Sequence, residues 1–174
     1  MAALRRTSDL YLIALGSNVR HARFGAPERV LGAAVAALAN AGLVEQVAPV
    51  IRSAPVGPSL RRYANGALLL RSDLAPPVLL GALKAIERAF GRRRGQRWGS
   101  RVLDLDIVLW SGGAWRSRGL QVPHAAFRAR DFVLRPASAI APLWRDPATG
   151  FTLRQLHTRL TAPRPATRDT HPGA

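Results

Sequence analysis

The nine-residue run VLDLDIVLW, at positions 102–110, most constrains the fold of this chain. Apolar residues alternate in it with two carboxylates, Asp104 and Asp106, and a period of two residues predicts a β-strand. Because successive side chains of a strand point to opposite faces, both carboxylates share one face. The residues expected on the opposite face, in the core, are Leu103, Leu105, Ile107 and Leu109.

The pair of aspartates calls for a compensating positive charge. Their backbones lie about 6.5–7 Å apart in an extended chain, where two unit charges repel by about 2 kcal/mol at an effective dielectric of roughly 20. One explanation is a solvated sheet face on which each aspartate pairs with an arginine. The other is a magnesium site, in which carboxylates hold Mg²⁺, the ion bridges phosphate oxygens and arginine neutralises the remaining charge. Aspartate is depleted in strands, so the pattern is unusual for a plain sheet face.

The overall charge favours an anionic partner. The net charge is +16, from 26 basic and 10 acidic residues, and Lys84 is the single lysine. Guanidinium groups can bind phosphate oxygens in a bidentate manner, although an arginine-rich genome would account for part of the excess. The distribution is more informative, because six arginines cluster just before the aspartates. They are Arg88, Arg92, Arg93, Arg94, Arg97 and Arg101.

Several function classes are excluded by what the sequence lacks. There is no cysteine, which removes disulfides, thiolate catalysis and sulfur-ligated metals. The four histidines lack the close pairing of a zinc-binding helix. No phosphate-binding GxxxxGK[ST] loop and no GxSxG nucleophile motif occur. No signal peptide or membrane-length apolar span is evident, so we expect a cytoplasmic protein.

The length and the turn signals predict one domain of alternating strands and helices. It is expected to cover residues 10–161, between an N-terminal extension over 1–9 and a disordered tail over 162–174. Pro49 is expected at a strand edge or bulge. The predicted strands cover 10–15, 43–52, 63–72 and 102–110. The predicted helices cover 27–41, 76–91, part of 122–134 and about 153–160.

At this point the residues resemble a known family. The segment ERAFGRRRGQRWGSRVLDLDI, at 87–107, is similar to the signature of the 6-hydroxymethyl-7,8-dihydropterin pyrophosphokinases, which transfer a pyrophosphoryl group from ATP to a pterin alcohol in the folate pathway. The resemblance implies a ferredoxin-like α+β fold, with a mostly antiparallel sheet and packed helices. It also implies ATP as co-substrate and two Mg²⁺ ions. Shorter matching pieces follow the family's order: ALGSN (14–18), SAPVGP (53–58), YANGA (63–67), VPH (122–124) and RDFVL (130–134).

The resemblance also implies a role for each matching residue. Asp104 and Asp106 would ligate the two Mg²⁺ ions, and Arg92 and Arg101 would contact the transferring phosphates, Arg92 from a mobile loop over 91–101. The pterin ring would stack between two aromatic side chains. The implied ATP-binding residues are Glu87, Arg94, Trp98, Ile107, His124 and Arg130. The implied pterin-binding residues are Ser53, Pro55, Val56, Tyr63, Asn65, Asp104 and Phe132.

Three departures from the family pattern concern the nucleotide. Ala125 stands where an aromatic residue often follows the histidine, Gly119 where arginine is common, and Lys84 where glutamine is frequent. Weaker ATP affinity is therefore expected, while the metal and pterin residues are complete.

Two alternative functions stay open at this stage. A divergent kinase or pyrophosphokinase would act on another pterin-like alcohol. A basic α+β module would bind RNA, although the paired carboxylates would repel a phosphate backbone. For the pyrophosphokinase, the expected partners are small-molecule substrates bound by a monomer, with neither a membrane nor a nucleic acid.

Overall fold

Antiparallel strands form the central sheet of the computed structural model, which describes residues 8–53, 63–91 and 102–163. Within these residues the sheet has five strands, with β4 and β1 in the centre and β5 at one edge. Strands β2 and β3 follow each other along the opposite side of β4. The strands of the sheet are β1 (Asp9–Ser17), β2 (Leu43–Val47), β3 (Ile51–Ser53), β4 (Tyr63–Ser72) and β5 (Asp104–Trp110). A separate hairpin joins β6 (Trp115–Ser117) to β7 (Leu120–Val122).

Helices cover both faces of the sheet. The helices are α1 (Pro27–Leu38), α2 (Pro76–Ala89), α3 (Asp131–Ile140) and α4 (Leu153–Thr161), with one 3₁₀ turn at Phe127–Ala129. Prolines begin α1 and α2, where a missing backbone N–H costs nothing. Helix α4 begins with a capping box, in which Thr152 and Gln155 each accept the other's backbone N–H. The element order and the strand order confirm the predicted ferredoxin-like α+β class.

Two apolar clusters lie on opposite faces of the sheet. Tyr11, Ile13 and Leu15 of β1 pack with buried residues of α1 and α2. The intervening Leu12 packs with buried residues of α3 and α4. The alternation along a single strand therefore supplies both clusters.

The sequence predictions hold for most elements and fail in two places. The predicted strand 43–52 is two strands, because Pro49 cannot donate a backbone hydrogen bond to a continuous ladder. The hairpin of β6 and β7 was not predicted, since three-residue strands carry too little periodicity. Strand β1 begins at Asp9, one residue before the predicted start of the first strand. Most of the predicted extension and tail lie outside the described residues.

One side-chain orientation in β5 corrects the sequence prediction. Leu103, Leu105 and Ile107 pack in the cluster of α1 and α2, as expected. Leu109 instead packs with Val108 in the cluster of α3 and α4. The register of β1 and β5 shifts between Leu12 and Ile13, so β5 carries one extra residue there. Such a bulge reverses the alternation beyond it, which sequence periodicity alone does not reveal.

A buried carboxylate organises the loop between α3 and α4. Asp146 is fully buried and accepts two hydrogen bonds of 2.7 Å from Arg128, one from Nε and one from a terminal nitrogen. The Thr149 hydroxyl and the Ala148 N–H also donate to it, at 2.6 and 3.2 Å. Burial alone would raise the pKa of Asp146, but these donors outweigh it and hold the pKa below its usual value.

Candidate active site

A row of three residues crosses the sheet at one end. Gly16 of β1 pairs with Asn65 of β4 on one side and with Asp104 of β5 on the other. Directly paired residues of antiparallel strands present their side chains on the same face. Since neighbouring strands lie about 4.8 Å apart, the Asn65 and Asp104 backbones are about 10 Å apart across the glycine. An amide and a carboxylate therefore flank a position that carries no side chain.

The next row along the strands repeats this arrangement. Ala14 pairs with Ala67 of β4 and with Asp106 of β5. A Cβ built on Gly16 would lie 3.6 Å from the Asn65 Oδ1 atom, which places that amide directly beside the glycine. Gly16, Ala14 and Ala67 thus form a strip of small residues between Asn65 and the two carboxylates, and we call this strip of the sheet face the trough.

The opposite wall carries the residues predicted to bind a pterin. Ser53 of β3 pairs with Tyr63 of β4, two residues before Asn65 and therefore on the same face. The Asn65 Nδ2 atom donates a 2.8 Å hydrogen bond to the Ser53 hydroxyl, and Asn65 is only 4% exposed. Phe132, in the first turn of α3, packs against the apolar cluster on this face. The structure thus brings Ser53, Tyr63, Asn65, Asp104 and Phe132 to one side of the sheet.

The two carboxylates fit a magnesium ion by their donor chemistry. Asp104 and Asp106 are both half-buried, with the buried Leu105 between them pointing to the other face. No group of three or more potential metal ligands occurs among the described residues. Mg²⁺ usually takes only one or two protein carboxylates and completes its shell with water and substrate phosphates. Two partly exposed carboxylates on one face of β5 are a pair of hard oxygen donors that meets that requirement.

The residues predicted to bind ATP gather along the outer edge of β5. The Leu105 N–H donates to Glu87 Oε1 at 2.8 Å, and the Val108 carbonyl accepts from the His124 N–H at 3.0 Å. Ile107 is buried, but by the alternation of an antiparallel strand its backbone groups turn to the same outer edge as those of Leu105. Ile107 can therefore offer a ligand its backbone rather than its side chain.

Two further predicted ATP-binding residues flank this region. His124 Nδ1 accepts from the Ala126 N–H at 3.2 Å, which places the proton of the neutral ring on Nε2. Arg130 immediately precedes α3, and its guanidinium lies 5.8 Å from the centre of the Phe132 ring. The remaining predicted site residues lie outside the described residues, as does nearly all of the loop 91–101: Pro55, Val56, Arg92, Arg94, Trp98 and Arg101.

Two departures from the family pattern have a structural context. Gly119 lies in the turn between β6 and β7 with a φ of 82°, a left-handed conformation that an arginine would adopt only with strain. Lys84 is directed at β5: its Nζ atom lies 2.7 Å from Glu87 Oε1 and 3.3 Å from the Leu105 carbonyl oxygen. Sequence reasoning missed this contact, and the only signal for it was the spacing of three residues between Lys84 and Glu87 on one helix face.

Comparisons with known proteins show which sequences this chain is similar to. A profile of the family described as 7,8-dihydro-6-hydroxymethylpterin-pyrophosphokinase (HPPK) matches residues 12–142. The chain is 41% identical over 147 residues to a 2-amino-4-hydroxy-6-hydroxymethyldihydropteridine pyrophosphokinase from Synechocystis, covering 83% of this chain and 73% of the relative. It is 43% identical over 138 residues to the protein of the same name from Pseudomonas aeruginosa, covering 78% of this chain and 82% of the relative.

A solved structure shows the same fold at low sequence identity. It is the wild-type HPPK-DHPS of Plasmodium falciparum with SDX-DHP, similar at a TM-score of 0.69 and 10% identity. The match covers 87% of this chain and 44% of that longer chain. Among the described residues, no helix has the length and apolar character needed to span a membrane.

Proposed function

We propose that this chain, which belongs to the 7,8-dihydro-6-hydroxymethylpterin-pyrophosphokinase family, transfers a pyrophosphoryl group from ATP to 6-hydroxymethyl-7,8-dihydropterin. The products are the pterin diphosphate and AMP, and the reaction belongs to folate biosynthesis. The single observation that supports this assignment best is the row Asn65–Gly16–Asp104, because it sets a polar recognition group and a carboxylate on opposite sides of an open floor.

The transfer is a displacement at the β-phosphorus of ATP. The hydroxymethyl oxygen of the pterin forms a bond to that phosphorus, and the bond from the phosphorus to the oxygen bridging it to the α-phosphate breaks. AMP leaves with the bridging oxygen, and the hydroxyl proton passes to solvent. Such reactions depend mainly on positioning and on neutralisation of charge, so no dedicated side-chain base is required.

The pterin would lie on the floor of the trough. Gly16 and Ala14 leave room for a flat ring, and the amide of Asn65 supplies fixed polar contacts at the ring edge. Tyr63 and Phe132 supply aromatic faces for stacking. Ser53, with the backbones of Pro55 and Val56, would complete the contacts to the ring edge. This orientation directs the hydroxymethyl group towards Asp104.

The nucleotide would lie along the outer edge of β5. The Ile107 backbone would contact the base, and the other proposed ATP contacts are Glu87, Arg94, Trp98, His124 and Arg130. Asp104 and Asp106 would hold two Mg²⁺ ions, which neutralise the phosphate charge and orient the β-phosphorus when bound. Arg92 and Arg101 would neutralise the remaining charge of the phosphates. The proposal includes a monomeric enzyme of the cytoplasm, and the family match does not favour the nucleic-acid-binding alternative.

Incubation with ATP, Mg²⁺ and the dihydropterin alcohol is expected to release AMP and the pterin diphosphate in equal amounts. The stoichiometry follows from attack at the β-phosphorus, and chromatography of the quenched reaction measures both products. A pterin that lacks the hydroxyl group is the matched control and should yield no AMP. Formation of ADP, or no turnover of ATP, would contradict the proposed reaction.

Gly16→Val is expected to weaken pterin binding by about 10²-fold, because a branched side chain would occupy the floor between Asn65 and Asp104. The φ of Gly16 is not positive, so valine introduces no backbone strain at this position. Calorimetric titration of the pterin in the presence of a non-hydrolysable ATP analogue measures the effect. Gly16→Ala is the graded control, since its Cβ makes only an ordinary contact with Asn65, at 3.6 Å. Equal pterin affinity in the valine variant would place the substrate elsewhere.

A further inference from the structure

Helix α2 holds the peptide groups between the two site carboxylates. The Leu105 N–H belongs to the peptide that follows Asp104, and the Leu105 carbonyl belongs to the peptide that precedes Asp106. Glu87 accepts from the first at 2.8 Å, and Lys84 donates to the second at 3.3 Å. Both peptide groups adjoining the carboxylate residues are therefore held by side chains of one helix.

These two hydrogen bonds take the place of those that a further strand beside β5 would make. β5 is the edge strand of the sheet in the described residues, and its pairing with β1 leaves the Leu105 backbone groups directed outward. Leu105 is fully buried, so unpaired backbone groups at this position would be costly. Lys84 and Glu87 satisfy both groups without extending the sheet.

Lys84 and Glu87 form an ion pair on one face of α2. The Glu87 side chain is 0% exposed and that of Lys84 is 30% exposed, and their Nζ–Oε1 distance is 2.7 Å. A buried carboxylate without a cation is strongly disfavoured, and removing one partner of such a pair destabilises the other. Lys84 thus places a positive charge beside the buried Glu87 carboxylate, which accepts the hydrogen bond from the Leu105 N–H.

We propose that Lys84 is a positioning residue for the metal-binding carboxylates. Through Glu87 and the Leu105 carbonyl it orients Asp104 and Asp106, and it does so without touching metal or substrate. The inference rests on the proposed function, since it assumes that the two aspartates hold Mg²⁺. This role is distinct from an effect on ATP affinity, which the replacement of the family's frequent glutamine by Lys84 predicts.

Lys84→Met tests this role, with Mn²⁺ as a spectroscopic probe of the metal site. Mn²⁺ binding to the full chain saturated with α,β-methylene-ATP is measured by electron paramagnetic resonance. We expect the Mn²⁺ affinity to fall by about 10-fold, the size of effect seen when groups that orient metal ligands are removed. Lys84→Arg, which retains the charge and the donors, should restore most of it. Arg88→Met is the matched control, because it removes a positive charge from an exposed position of the same helix.

Each result either supports or overturns the positioning role of Lys84. Unchanged Mn²⁺ affinity in Lys84→Met, or an equal loss in Arg88→Met, would overturn the inference. If Lys84→Met does not fold, the double variant Lys84→Met/Glu87→Met removes the buried charge and leaves the Leu105 peptides unheld. The same loss of Mn²⁺ affinity is expected in it, and wild-type affinity would overturn the inference. Absence of Mn²⁺ binding in the wild-type complex would instead contradict the proposed metal site itself.

Discussion

Asp106→Ala is expected to lower kcat for AMP formation by about 10³-fold, and Asp104→Ala by at least as much. Each substitution removes one of the two carboxylates that would hold the metal beside the trough. Asp106 is half-buried and forms no ion pair with another described residue, so its loss should leave the fold intact. Initial rates measured over a series of Mg²⁺ concentrations would separate a metal defect from a general loss of activity.

Two further variants separate the role of the carboxylate charge from a general effect of substitution. Asp106→Asn keeps the shape of the side chain but removes its charge, and a comparable loss is expected because Mg²⁺ prefers anionic oxygen donors. Asp73→Asn changes an exposed carboxylate just beyond the end of β4 and should retain full activity. Wild-type rates and wild-type Mg²⁺ dependence in both alanine variants would refute the assignment of the carboxylates.

Asp146→Asn is expected to lower the free energy of unfolding by about 3 kcal/mol near neutral pH. The substitution removes the negative partner of Arg128 and leaves a fully buried amide among donors arranged for a carboxylate. At most one of the two hydrogen bonds from Arg128 can persist, because the amide has a single acceptor oxygen, and that bond no longer ends on a negative charge. Urea unfolding followed by circular dichroism measures the change, and an unaltered urea midpoint would contradict it.

The contribution of Asp146 to the free energy of unfolding should decrease at low pH. Its pKa is lowered in the folded protein relative to about 3.9 in an unfolded chain. The stabilisation is therefore fully present above the unfolded pKa and is lost as the pH falls through the folded pKa. The difference between wild type and Asp146→Asn should stay constant from about pH 7 to pH 5 and shrink below about pH 4. Asp73→Asn, at an exposed position, serves as the control.

The local features of the site could be predicted from the sequence. Alternation along residues 102–107 places Asp104 and Asp106 on one face, and the structure keeps them there because that part of β5 is regular. The limits of α1 and α2 follow from their prolines and apolar spacing to within three residues. Prediction failed where one strand met another, as at the bulge beside Val108 that sends Leu109 to the opposite face.

The sequence by itself determined the strand that carries the carboxylates, the limits of the first two helices and the family resemblance, because these depend on residues close together in the chain. Only the tertiary structure decided that Gly16 separates Asn65 from Asp104, and that Lys84 and Glu87 hold the Leu105 peptides. Glu87 and Lys84 lie 18 and 21 positions from Leu105, and Gly16 lies 49 positions from Asn65 and 88 from Asp104. Such contacts depend on strand register and on how a helix packs across a sheet, and neither is encoded in the periodicity of a single segment.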